Sequence, residues 1–136
     1  MTIREIERYI AGIKGKIGLG EWIITAKRPG PGEATNRAFV VSDAVQLRAE
    51  TSWNLSAPDW KNAEDDEREQ LILHELSHVL LSRFSQVIRD VVADNIVTDS
   101  RELVLARLDD QEETLAGKLS AIFHQLLKGV DLANGG

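Results

Sequence analysis

The sequence predicts an α+β domain, because helical and strand patterns occupy separate parts of the chain. Residues 2–14 repeat isoleucine every three or four positions, as one face of a helix does. Three short β-branched segments follow between residues 21 and 55, and the remainder is helical in pattern. The predicted order is therefore one helix, a small sheet and then further helices, which is typical of α+β folds.

Three strands are predicted after the first helix, in the segments EWIITAK, AFVVSDA and VQLRAETSWNL. A loop rich in proline and glycine, residues 28–37, separates the first two segments. Three such strands make a small antiparallel or mixed sheet. Apolar and polar residues alternate along the third segment. The set expected on its inner face is Val45, Leu47 and Ala49, continued by Thr51 or Trp53.

Helical patterns fill the rest of the chain. One helix is expected from about Asp65 to about Phe84, and acidic residues at its start suit the positive end of the helix dipole. SQVIRDVVADNIV follows as a second helical segment, and a last long helix begins near TDSRE and is expected to end at Gly129. We therefore predict a single domain over residues 1–129 and a frayed tail over residues 130–136.

Composition narrows the classes of function. The chain has 136 residues, 43% of them hydrophobic, so one core without covalent cross-links is expected. It has no cysteine, so any metal must be held by His, Asp, Glu or water. The net charge of −6 disfavours nucleic acid and anionic membranes as partners. No signal peptide or membrane span is recognisable, which predicts a cytoplasmic location.

The stretch QLILHELSHVLL, residues 70–81, contains the residues that predict a chemical function. His74 and His78 are four residues apart, so a helix directs both imidazoles to one point. Glu75 is rotated by about 100° from His74, within reach of a metal-bound water without being a ligand. Two neutral imidazoles suit zinc, which lowers the pKa of a bound water to roughly 7. The motif predicts a zinc site, and the alternative is a pair of structural histidines satisfied by hydrogen bonds.

Catalytic zinc usually has three protein ligands, so a further ligand is expected elsewhere in the chain. The apolar face of the last helix has one polar position, Glu112, which lies between Leu108 and Leu115. We predict Glu112 as the third ligand. Its neighbour Glu113 is rotated by about 100° toward the polar side and is the alternative ligand. Without a metal, Glu112 would pair with a basic residue of its own helix.

Two aspartates and the third histidine are weaker candidates. Asp94 and Asp109 are candidate carboxylates that would hydrogen-bond a ligating imidazole and fix its orientation. His124 lies about 120° around the helix from Glu112 and is expected to be exposed rather than to take part in catalysis.

HELSH, together with the later Glu-Glu of DDQEETLAGKL, resembles the His-Glu-x-x-His zinc peptidases of the gluzincin type. The resemblance is closest to small, single-domain metallopeptidase-like proteins of phages and prophages. It implies a zincin-like fold, zinc as cofactor, His74, His78 and Glu112 as ligands, and Glu75 as general base. Larger gluzincins carry an aspartate four residues after the ligand glutamate, whereas this chain has Ala116.

The resemblance also implies a function. A minimal zinc metallopeptidase would hydrolyse a peptide bond with a zinc-bound water that Glu75 activates, and its partner would be a peptide or protein substrate. A strand before the active-site helix would pair with the extended substrate, and RAETSWNL is the candidate edge strand, through Ala49, Thr51 and Trp53. The alternative is a zinc-binding regulatory or virion-associated protein that keeps the metal site without turnover.

Overall fold

A computed structural model describes residues 1–30 and 38–135, with all of their side chains except those of Thr98 and residues 130–135. Most of the predicted loop at 28–37 lies outside these described residues. The predicted α+β order is confirmed. The elements are α1 (Ile3–Ile13, followed by a 3-10 turn, Lys14–Ile17), β1 (Ile23–Lys27), β2 (Ala38–Asp43), β3 (Arg48–Trp53), α2 (Pro58–Lys61), α3 (Asp65–Asn95) and α4 (Thr98–Gly135).

The sheet is mixed, and its strand order is β1-β3-β2. β3 pairs in parallel with β1 and antiparallel with β2, so both of its backbone edges are hydrogen-bonded. A short turn joins β2 to β3, in which the Asp43 carboxylate accepts hydrogen bonds from the backbone N–H groups of Val45 and Gln46, each at 3.1 Å. β1 and β2 are consequently the edge strands.

The predicted inner face of β3 is confirmed in part. Ala49, Thr51 and Trp53 are all buried. Thr51 Oγ1 donates a hydrogen bond to the backbone oxygen of Thr25 and accepts one from Trp53 Nε1, each at 2.8 Å, so the hydroxyl is satisfied inside the core. The prediction was wrong for Val45, whose side chain is 91% exposed because it belongs to the turn before the strand.

One core lies between α1, the sheet and the first half of α3. α1 contributes isoleucines at the spacing that its periodicity predicts, and α3 contributes a matching apolar face. The tryptophans Trp53 and Trp60 pack against each other with ring centroids 5.4 Å apart. The buried helix residues are Ile6, Ile10 and Ile13 of α1 and Ile72, Leu73, Leu76 and Val79 of α3.

α3 and α4 are longer than predicted. No glycine or proline interrupts the chain between Asp65 and Asn95, so α3 continues through the expected end at Phe84. α4 likewise passes Gly129 and ends at Gly135, since a glycine inside a helix costs only about 1 kcal/mol relative to alanine. The contacts of α3 with α4 join early residues of one to late residues of the other, so the two helices form an antiparallel hairpin.

No helix in the described part of the chain combines the length and the apolar character that crossing a membrane requires.

The packing of α3 against the sheet predicts how much the free energy of unfolding falls when a buried side chain of α3 is shortened. Leu76 is fully buried, so Leu76→Ala should lower the free energy of unfolding by about 2–5 kcal/mol in urea titrations. Leu103→Ala is the matched control, because Leu103 is 62% exposed on α4, and it should change stability by less than about 0.5 kcal/mol. Equal losses in the two variants would contradict the described packing.

Candidate metal centre

Two histidines of α3 and one glutamate of α4 meet at a single point. Nε2 of His74 lies 2.8 Å from Oε1 of Glu113, and Nε2 of His78 lies 2.9 Å from Oε2 of the same carboxylate. The imidazole rings are 5.1 Å apart and nearly perpendicular. One ligand atom from each of the three residues lies within 4.8 Å of the others, so this group could hold a metal ion.

The local sequence explains why both imidazoles face α4. Residues four apart share one face of a helix, so His74 and His78 lie one above the other. The opposite face is fixed in the core by buried leucines such as Leu73 and Leu76. Rotation of α3 would expose those leucines, so the positions of the two imidazoles follow from hydrophobic burial.

Glu112 holds the other nitrogen of His78. Its Oε2 lies 3.0 Å from Nδ1 of His78, and its Oε1 accepts a hydrogen bond from the hydroxyl of Ser85. When Nε2 gives its lone pair to a metal, the ring proton of His78 is on Nδ1 and is donated to the Glu112 carboxylate. Glu112 therefore directs Nε2 of His78 toward His74 and Glu113, which is how an outer carboxylate orients a ligating imidazole.

The structure separates the two glutamates that the sequence offers as third ligand. Glu112 is the more buried of the pair, with its side chain 20% exposed against 63% for Glu113, although Leu115 of the predicted apolar face is 47% exposed. Of the imidazole nitrogens, Glu112 contacts Nδ1 of His78, whereas Glu113 contacts Nε2 of both histidines. The geometry thus brings Glu113, the alternative from the sequence, to the point where a metal ion could be held, and places Glu112 behind His78.

The two imidazoles also act on the charge of Glu113. Partial burial raises the pKa of the Glu113 carboxyl. The positive charges of His74 and His78, together with their hydrogen bonds, lower this pKa by more than burial raises it. The net pKa is below the ordinary value of 4.5. A metal ion could take the place of the protons that the two Nε2 atoms share with this carboxylate.

A cleft of about 630 Å³ opens beside these side chains. α3 and α4 form one wall, which includes Glu75, and β2 forms the other wall through Phe39 and Val40. Glu75 is half-buried and lies one residue from His74, so the general base that the sequence predicts faces the same cleft as the possible ligands.

The predicted substrate strand also needs correction. Ala49, Thr51 and Trp53 belong to β3, which is the central strand and is hydrogen-bonded on both sides. β3 has no free edge to offer an extended peptide. The strand that borders the cleft is β2, and it pairs only with β3 among the described strands.

The two predicted orienting aspartates do not reach an imidazole. Asp109 forms an ion pair with Arg89, at one end of the cleft. Asp94 is exposed and lies sixteen residues after His78 on the same helix, about 24 Å along its axis. Their predicted role belongs to Glu112, which the sequence presented only as a ligand.

His124 is not exposed, contrary to its prediction. Its side chain is 14% exposed and its Nε2 lies 3.5 Å from Asp66 and 3.9 Å from Glu69, near the start of α3. These three residues are a second group whose atoms could hold a metal ion. Lys128 pairs with Asp66 there, and its hydrogen bond holds the pKa of the Asp66 carboxyl below the usual value.

The lowered pKa of Glu113 predicts a pH dependence in metal-free protein. A carboxyl whose pKa is lower in the folded state contributes stability above pH 4.5, and the contribution is lost as the pH falls through the folded-state value. The difference in unfolding free energy between wild type and Glu113→Gln should therefore shrink from about pH 5.5 to about pH 3, measured by urea titration with a chelator. Glu102→Gln, an exposed change on α4, should show no such trend. A difference that grows as the pH falls would contradict a pKa of Glu113 that is lower in the folded state.

Comparison with known protein families, curated proteins and solved structures finds no match to this chain. The chemistry of the site is therefore inferred from its own side chains: two imidazole nitrogens and one carboxylate at the ligand position, a second carboxylate behind His78, and a glutamate in the adjoining cleft.

Proposed function

We propose that this protein is a zinc-dependent peptide-bond hydrolase of the gluzincin type. One observation carries the proposal: the Nε2 atoms of His74 and His78 meet the carboxylate of Glu113 at the wall of a cleft that Glu75 also lines. A zincin-like fold, with the HExxH helix packed beside a small mixed sheet, forms part of this proposal.

The donor set fits zinc better than other common cations. Two imidazole nitrogens with one carboxylate oxygen are a known ligand set of catalytic zinc, whereas magnesium and calcium take oxygen ligands. Among the described residues three side chains converge on the point, which would leave a fourth position for water or substrate. When bound, zinc lowers the pKa of water to roughly 7 and polarises a carbonyl group.

Proton transfer and the positioning of His78 are assigned to other side chains of the chain. Glu75 takes a proton from the attacking water and delivers it to the nitrogen of the leaving amine. Glu112 holds Nδ1 of His78, so that Nε2 of this residue is always the nitrogen presented to the cleft. Ser85 fixes the Glu112 carboxylate through its second oxygen. Ser85 is 7% exposed and borders the cleft, and its hydroxyl holds the carboxylate in place.

An extended peptide is the substrate that the cleft fits. β2 is an edge strand whose residues line the wall opposite the histidines, so a peptide can add to it by backbone hydrogen bonds. Its scissile bond would then lie between the strand and Glu75. Phe39 and Val40 offer apolar surface for the side chains of the peptide.

Metal content tests the ligand assignment. Wild-type protein should bind close to one zinc per chain, measured by elemental analysis after dialysis. His74→Ala and Glu113→Ala should lose it, whereas Glu112→Ala should keep the stoichiometry with about 10–100-fold weaker binding, since it removes an orienting group.

Two controls separate this site from the rest of the chain. Glu102→Ala, an exposed position on α4, should bind as wild type does. His124→Ala should leave the zinc in place; loss of zinc in this variant alone would move the metal to the group near the start of α3. Loss in Glu112→Ala with retention in Glu113→Ala would restore the ligand order that the sequence predicts.

Hydrolysis tests the general base. Glu75→Gln should keep the zinc but lower the cleavage rate of a casein-derived peptide mixture by about 100-fold or more, followed by mass spectrometry. Glu67→Gln, an exposed change on the same helix, should cleave at the wild-type rate. Zinc binding by wild type without cleavage of any peptide would favour the regulatory or virion-associated alternative.

A further inference from the structure

The second half of α3 carries an apolar stripe that no described residue covers. Phe84, Val87, Ile88 and Val91 are 72%, 62%, 41% and 55% exposed. Their spacing of three and four residues places them within an arc of about 100° on one face of the helix. We name these four residues the α3 stripe.

The α3 stripe lies beside the side of α3 that meets α4, and it remains exposed. Beyond Leu81, the buried residues of α3 are Ser85 and Val92, which lie on the side of the helix that meets α4. The stripe is rotated from them by roughly a quarter turn. Its exposed area is on the order of 400 Å², which is the size of the largest apolar patch on a typical monomer, and such a patch is often functional.

Charged residues flank the α3 stripe with opposite signs at its two ends. Arg83 precedes Phe84, and Asp90 precedes Val91, seven residues later. Both are exposed and lie on the same side of the stripe, because seven residues are close to two full turns. Asp90 accepts a hydrogen bond from Gln86 at 2.9 Å, and Arg83 has no ion pair with any described residue.

This charge pattern complements itself in one orientation. In an antiparallel pair of identical helices, the basic end of one stripe lies beside the acidic end of the other. A register that sets Phe84 opposite Val91 of a second copy, and Val87 opposite Ile88, leaves Arg83 two residues, about 3 Å along the axis, from the level of Asp90 of that copy, and the two-fold axis repeats the contact. A parallel two-fold pair would instead put the Arg83 and Asp90 flanks of the two copies on opposite sides of the contact, where these charges do not meet.

We propose that two copies of this chain pair through the α3 stripe as an antiparallel, two-fold symmetric dimer. The proposal is independent of the metal and of peptide hydrolysis. The patch is smaller than the roughly 800 Å² per partner of a standard interface, so the dimer is weak, with a dissociation constant on the order of 10–100 µM.

Sedimentation velocity tests the proposal. The average mass of wild-type protein should rise from that of the 15.1 kDa chain toward twice this value between about 5 and 500 µM. Val87→Asp should weaken the association by more than about tenfold, because it places a charge in the apolar contact. Val45→Asp is the matched control, since Val45 is exposed in the turn between β2 and β3, and it should associate as wild type does.

A charge exchange tests the orientation. Arg83→Glu and Asp90→Arg should each weaken the dimer about tenfold by placing like charges together, and the double variant should recover to within about threefold of wild type. The recovery cannot arise within one helix, because the two residues are about 10 Å apart along it and the contact of Gln86 is lost in both Asp90 variants. Circular dichroism should show wild-type helicity throughout.

Three results would overturn the proposal: protein that is monomeric at every concentration, a dimer that tolerates Val87→Asp, or a double variant that associates as weakly as the single ones. Protein that stays monomeric would mean that the α3 stripe binds a different protein. A dimer that tolerates Val87→Asp would mean that the two copies pair through another surface.

Discussion

The contact between two imidazoles of α3 and two adjacent carboxylates of α4 is the constraint on which the hairpin depends. His74 and His78 lie at the point where α3 passes from the shared core to a segment that contacts α4 through Ser85 and Arg89. At this level α3 buries leucines on one side and presents nitrogen atoms on the other. The carboxylates of Glu112 and Glu113 satisfy those nitrogen atoms, so the relative position of the two helices is fixed by polar contacts.

The periodic parts of the fold follow from the sequence, because periodicity is a local property. The isoleucines of α1, the alternation along β3 and the HExxH spacing each report which side of one element is buried or shared. Strand order is not local. β3 follows β2 in the chain but lies between β1 and β2, and alternation is the same in a central strand as in an edge strand. The sequence therefore identified the inner residues of β3 without identifying which strand has the free edge.

The exchange of roles between Glu112 and Glu113 has a similar origin. A helical wheel gives the angle of a side chain about its own axis but not where the neighbouring helix crosses that axis. Ala116 and Ser120, which are buried in α4, lie between the directions of Glu112 and Glu113 around the helix. Both carboxylates therefore reach α3, where the more exposed one contacts both Nε2 atoms and the more buried one contacts Nδ1. The only sequence signal for this arrangement was the Glu-Glu pair itself, since adjacent residues differ by about 100° and can contact one imidazole from two sides.

The position of the orienting carboxylate shows how a short chain can support such a site. Ala116 is fully buried one turn after Glu112, where a carboxylate would lack water and any described partner. Glu112 avoids that cost because Ser85 and His78 occupy both of its oxygens. Glu113 can then remain largely exposed, and this exposure is compatible with the proposed metal site, because the point that it shares with the two histidines lies open at the cleft beside β2. A residue that must be open to solvent, as Glu113 is, does not follow the apolar periodicity of its helix. Selecting the third ligand by its place on the apolar face therefore favours the neighbouring carboxylate, Glu112.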